Sequence, residues 1–206
     1  MLRSATPERL NAFSDGVFAV LITVLVLDLR PPDAPTFDAL LKFWPNWLSY
    51  AVSYLFIAIV WVNHHYLLRF AEETTARLLW FNFAHLFSMS LLPLSTAWMA
   101  VSRLAPQPVA FYAAVFFLVN VTYLALIWEL LEATAAGTVP ARVRNVRRFR
   151  AIITLFLFAV AVIVALKFPV TGLGICVCCL IVYLRPIRPA RTRKPSTRTE
   201  ASRSCA

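Results

Sequence analysis

The side chains able to do chemistry in this chain are few, and nearly all of them interrupt long apolar runs. They are Ser14, Asp15, Thr23 and Asp28 in a first run, Asn63, His64 and His65 in a second, Asn82 and His85 in a third, and Asn120, Thr122 and Glu129 in a fourth. A polar or ionisable group in a lipid-spanning segment is costly, so it faces a protein interior or a water path and marks function by default. His64 and His65 invite a metal or haem reading, but adjacent residues on a helix project about 100° apart and cannot chelate one ion together. One of them can instead meet His85. No Glu-x-x-His or His-x-x-x-His spacing accompanies them. Hydrogen bonding with Arg9, Asp15 or Trp61 is the role their types favour, and a pH-sensitive gate stays open because imidazole titrates near neutrality.

Other chemistry is thinner still. The sequence has no nucleophile elbow, phosphate loop or paired-carboxylate motif, so no enzyme and no cofactor are expected. Ser49, Ser53, Ser88 and Ser90 read as small residues that let helices approach closely. Cys176, Cys178 and Cys179 lie in the last apolar run and Cys205 in the tail; they form no disulfide framework, and as small apolar residues they read as packing rather than metal ligands.

These residues need a membrane to position them. Sixty per cent of the 206 residues are apolar and the mean hydropathy is +0.71, which makes the bilayer the solvent. A hydrocarbon core of roughly 30 Å takes about 20 apolar residues per helical crossing. Apolar runs at 12–29, 44–68, 78–101, 109–131, 151–166 and 169–185 predict six, separated by Pro31, Pro32, Pro35, Pro106, Pro108, Gly137 and Pro140. The first run carries Asp15 near its start and has no small-residue cleavage site behind it, so it reads as a retained helix rather than a signal peptide.

The net charge of +10 is read as a topology determinant, not as a nucleic-acid surface. Arg3, Arg9, Arg69, Arg77, Arg142, Arg144, Arg147, Arg148, Arg150 and the tail fall on one side of the predicted crossings, against Arg30, Lys42, Arg103 and Lys167 on the other. Both termini are therefore expected in the cytoplasm, which an even number of crossings satisfies. Trp44, Trp47, Trp98 and Tyr112 fall near helix ends, where interfacial aromatics belong. The expectation is an all-α polytopic membrane protein: a six-helix unit over residues 1–187 and a basic, disordered tail over 188–206, which touches anionic lipid or only enforces topology.

The first helix is the most informative. The polar run Arg9 to Gly16 leads straight into the apolar body Val17 to Leu27, and Val20, Thr23 and Leu27 stack on one face at i, i+3 and i+7. Around a symmetry axis they form three rings. Read alone, such residues are more often lipid-facing or packing positions, and Thr23 can bond back to a carbonyl.

The spacing Arg9-x-x-x-Phe13-Ser14-Asp15-Gly16 resembles the signature of the transmembrane protein 175 family of potassium channels. Trp61-Val62-Asn63-His64-His65 and the stretch from Asn82 to Pro93, continuing Leu-Ser-Thr, resemble the same family in the same order. The last three helices match only in hydropathy and length. The resemblance implies a bacterial-type potassium channel of the plasma membrane, a homotetramer with K⁺ as permeant ion and no cofactor. It makes helix one the pore lining, with Val20, Thr23 and Leu27 at the positions facing the ions; Val20 stands where isoleucine or leucine is usual. It also makes Arg9, Ser14, Asp15, Trp61, His64 and His65 a structural polar network at the cytoplasmic end.

The physics of such a pore is consistent. An apolar ring stops conduction by dewetting when narrow and passes partly dehydrated ions when wider. K⁺ sheds water more cheaply than Na⁺, the Thr23 hydroxyls offer oxygen ligands, and Asp28 gathers cations over roughly 8 Å in physiological salt. Two other classes compete. A secondary or proton-coupled carrier calls for inverted repeats and a midplane site, neither visible here. A metal or haem membrane protein would use His64, His65 and His85.

Overall fold

A computed structural model describes residues 6–71, 73–133 and 141–183. The tail expected from residue 188 onward, and Cys205 within it, lie outside the described residues. All regular structure among the described residues is helical: α1 (Pro7–Leu27), α2 (Phe37–Lys42), α3 (Trp44–Leu68), α4 (Ala76–Ser90), α5 (Leu92–Val101), α6 (Pro106–Ala133), α7 (Ala141–Ala165) and α8 (Pro169–Tyr183). Among the described residues five stretches are long and apolar enough to cross a membrane: α1, α3, α4 with α5, most of α6, and Arg148–Ala165 of α7. The last helix, α8, is apolar but has 15 residues, roughly 22 Å at 1.5 Å per residue, less than the hydrocarbon core.

Helix ends follow local chemistry. α1 begins at Pro7, ahead of the apolar run, because Pro fits the first turn and Thr6 caps it by accepting from the Arg9 N–H at 3.4 Å. Thr75 caps α4 in the same way, accepting from the Leu78 N–H at 3.1 Å. The third crossing breaks at Leu91, and Pro93 lies in the first turn of α5; a proline has no N–H for the preceding turn, so the ladder cannot run through. The short α2 has no counterpart in the hydropathy pattern; Thr36 caps it and an exposed Asp38–Lys42 pair spans its length.

The core is built around α6, which packs on α4, α5, α7 and α8, while α1 rests mainly on α3 and also meets α4 and α5. Phe56 and Phe116 stack with centroids 3.7 Å apart, and Phe158 meets Phe116 edge-on. Gly172 lets α8 close on α7: a Cβ there would stand 2.6 Å from Ala165 Cβ.

Two sequence expectations change. Tyr112 is not an interfacial aromatic; it is fully buried, and its hydroxyl bonds Ser53 Oγ at 2.8 Å, which in turn bonds Thr96 Oγ1 at 2.7 Å. α6 starts at Pro106, so Tyr112 lies more than a full turn inside the helix and its hydroxyl must find a protein partner. Ser90 is exposed and bonds back to the Phe87 carbonyl, whereas Ser49, Ser53 and Ser88 are buried between helices as small residues should be. Trp44, Trp47 and Trp98 are exposed.

Candidate pore helix and its polar anchors

α1 has two unlike faces. Leu10, Ser14, Phe18, Leu21 and Leu25 are buried, a 4-4-3-4 spacing that follows one stripe of a 3.6-residue helix. On the other side Phe13, Gly16, Val20, Thr23 and Leu27 are exposed, Val20 by 58% and Leu27 by 78%. Among the described residues no other helix covers this second stripe. The Thr23 hydroxyl donates to the Val20 carbonyl at 2.7 Å, which leaves its oxygen as an acceptor.

Inside the protein, Ser14 opens a directed chain of hydrogen bonds. Its hydroxyl donates to the Leu10 carbonyl at 2.9 Å and accepts from Asn82 Nδ2 at 3.0 Å. Asn82 Oδ1 lies 2.7 Å from His64 Nε2, and because an amide oxygen only accepts, His64 Nε2 carries the proton. Ser14, Asn82 and His64 have no exposed surface. The chain thereby ties α1 to α3 and α4 at one depth. His64 then stacks on His85 with centroids 5.5 Å apart and planes within 10°, and the His85 Nδ1 reaches Thr122 Oγ1 on α6 at 3.0 Å.

A second cluster forms where α1 meets the last turn of α3. Asp15 Oδ1 accepts from Trp61 Nε1 at 2.8 Å and Asp15 Oδ2 from Asn11 Nδ2 at 3.2 Å. His65 Nδ1 stands 3.3 Å from Asn11 Nδ2 and 4.0 Å from Asp15, and Arg69 approaches the other ring nitrogen at 3.4 Å. The two adjacent histidines therefore serve different clusters, as their angular separation demands.

Arg9 belongs to neither cluster. It is exposed, and among the described residues only its backbone is engaged, at the Thr6 cap. Six residues from Asp15, it points about 240° around the helix from it; Arg69 stands beside His65 instead. Asn11 was not among the polar residues singled out in the sequence, although its i, i+4 relation to Asp15 is a readable signal. Glu129 is paired rather than free, 2.8 Å from Arg77 across α4 and α6. Cys176 and Cys179 are buried and Cys178 is exposed. Among the described residues no group of three or more His, Cys, Asp or Glu side chains is placed to hold a metal ion.

The family model described as endosomal/lysosomal potassium channel TMEM175 matches residues 9–93, the segment holding both clusters. A protein of Chryseobacterium sp. named as a potassium channel is 28% identical over 88% of this chain and 94% of its own length. Another so named, from Streptomyces collinus, is 36% identical over 59% of this chain and 63% of its own length. The human endosomal/lysosomal proton channel TMEM175 is 30% identical over 63% of this chain, which spans 28% of that much longer protein. Among solved structures, a lysosomal potassium-selective channel TMEM175 homolog from Chamaesiphon minutus shares the fold with a TM-score of 0.78 and 25% identity, over 86% of this chain and 96% of that one. Residues 9–93 match the family model and 86% of the chain shares the fold of the solved homologue, so the chain resembles the TMEM175 family in both sequence and fold.

Proposed function

We propose that the protein is a potassium-selective channel that conducts K⁺ passively through a central pore, built from four copies of the chain with α1 of each facing the axis. The observation that carries this reading is the uncovered stripe on α1: Val20, Thr23 and Leu27 are exposed on a helix whose opposite side is fixed to its own subunit. One helix per subunit encloses a pore only when several subunits meet, so the stripe needs copies of itself. The names of the bacterial relatives and of the solved homologue support potassium as the ion.

In this arrangement Val20 and Leu27 form apolar rings that set the narrowest points, and the Thr23 hydroxyls stand between them as oxygen ligands. Ser14, His64 and Asn82, with Asp15, Trp61 and His65, hold the helix in register from behind. The topology is six crossings, with α8 as the short sixth and both termini cytoplasmic; Arg69 and Arg77 flank the same side as Arg9, in line with the positive-inside bias. The location is a bacterial plasma membrane, with the bilayer and other copies of the chain as partners.

The test is flux. Purified protein in liposomes under a potassium gradient is expected to pass K⁺ passively and well above Na⁺. Transport that requires a co- or counter-moving ion would instead make it a carrier and overturn the reading.

A further inference from the structure

Away from α1, the helices α3, α6, α7 and α8 border a partly open cavity of about 30 Å³, lined chiefly by Phe56, Ile59, Val119, Phe158 and Leu180 with two amides, Asn63 and Asn120. Asn120 is only 6% exposed, and no protein group donates to its Oδ1. Asn63 donates one Nδ2 hydrogen to the Ile59 carbonyl at 2.8 Å, so its Oδ1 and a second N–H are left to offer. The Tyr123 hydroxyl borders the cavity 3.5 Å from the Asn63 carbonyl. An acceptor buried in an apolar wall is costly without a donor.

We infer that this cavity is a binding site for one small hydrogen-bond donor, a water molecule held by the amide oxygens of Asn120 and Asn63. The chemistry follows from the lining: the unpaired Asn120 oxygen needs a donor, and water can supply it while giving its other hydrogen to Asn63 Oδ1, which a single hydroxyl cannot do. Size agrees, since one water needs roughly 10–15 Å³ by this kind of measure, whereas a cavity that binds benzene is about 150 Å³. The hydroxyl head of a bilayer amphipath shares the donor chemistry but brings one donor hydrogen where water brings two. The water would join the backs of α3 and α6 at a point that neither cluster on α1 reaches.

The test uses the full chain in detergent and three variants: Val119→Ile, which fills the cavity, Asn120→Leu, which removes the acceptor, and both together. If water is held, filling the cavity expels it and strands the Asn120 oxygen, so Val119→Ile lowers the thermal midpoint by about 2–4 °C, and adding Asn120→Leu recovers most of that loss. A dry void gives the opposite sign, with both single variants raising the midpoint. Simple overpacking gives a third pattern, a loss that Asn120→Leu does not recover. Either of these overturns the inference. A density map fine enough to show ordered water is expected to place a compact peak 2.7–3.2 Å from Asn120 Oδ1; density that continues from that point toward the bilayer as a tail would also overturn it.

Discussion

Trp61 Nε1 donates to Asp15 Oδ1 at 2.8 Å, and this bond joins the first helix to the end of the next crossing. It links the one carboxylate of the Arg9 to Gly16 run to a donor that has no other use for its proton. Trp61→Phe keeps the ring and removes the donor. It should lower stability by about 1 kcal/mol, and in a double-mutant cycle with Asp15→Asn the two losses should add to less than their sum. Thermal midpoints in detergent measure both. Full additivity would mean the bond carries no coupling.

The buried chain from Ser14 through Asn82 to His64 should be less forgiving. Asn82→Leu leaves the His64 Nε2 proton without an acceptor and Ser14 without a donor, both in a dry interior, so a loss of about 2–4 kcal/mol is expected. Ser14→Ala, which strands only the Asn82 amide, should cost less. A thermal midpoint of Asn82→Leu within the error of the parent would show that the chain is dispensable.

On the uncovered stripe the prediction is reversed. Val20→Ala, Thr23→Ala and Leu27→Ala remove exposed groups, so folding stability should move by no more than about 0.5 kcal/mol. Their effect should appear in ion flux instead: wider rings in the valine and leucine variants should raise leak or relax selectivity, and Thr23→Ala should lower the preference for K⁺. Reversal potentials with K⁺ on one side and Na⁺ on the other read this out. Unchanged conductance and selectivity in all three would place the conduction path elsewhere.

The two glycines of α8 form a matched pair. A Cβ at Gly172 would meet Ala165 Cβ at 2.6 Å and Ala161 O at 3.0 Å, while one at Gly174 meets nothing within 4 Å. Gly172→Ala should therefore cost about 1–3 kcal/mol by overpacking, and Gly174→Ala should be neutral or gain up to about 1 kcal/mol of helix propensity. Paired melting curves decide it; equal effects would refute the close approach of α7 and α8.

Five of the six expected crossings were legible because roughly 20 apolar residues are needed to span a bilayer, a requirement that acts on composition alone. One face of α1 was also legible, since Val20, Thr23 and Leu27 recur at i, i+3 and i+7. What escaped was rotational setting. In helices apolar on nearly every side, amphipathicity hardly marks which face turns inward, so the sequence could not tell that Tyr112 points at Ser53 or that Glu129 meets Arg77. Arg9 shows the same difficulty: the resemblance placed it in the polar network, whereas it is exposed and apart from both clusters.

Among the described residues, the polar tethers of α1 to other helices run from Asn11, Ser14 and Asp15, and from Phe18 onward its buried side chains are the apolar Phe18, Leu21 and Leu25, with Phe18 packed on the His64 ring. Mechanically it is a rod clamped near one end. Leu27 lies roughly 20 Å beyond Ser14 along the axis, so a tilt of about 5° about the clamp swings it by close to 2 Å. Apolar surfaces slide without breaking directed bonds, so in the proposed pore the unclamped end is free to change bore while the clamped end keeps its alignment.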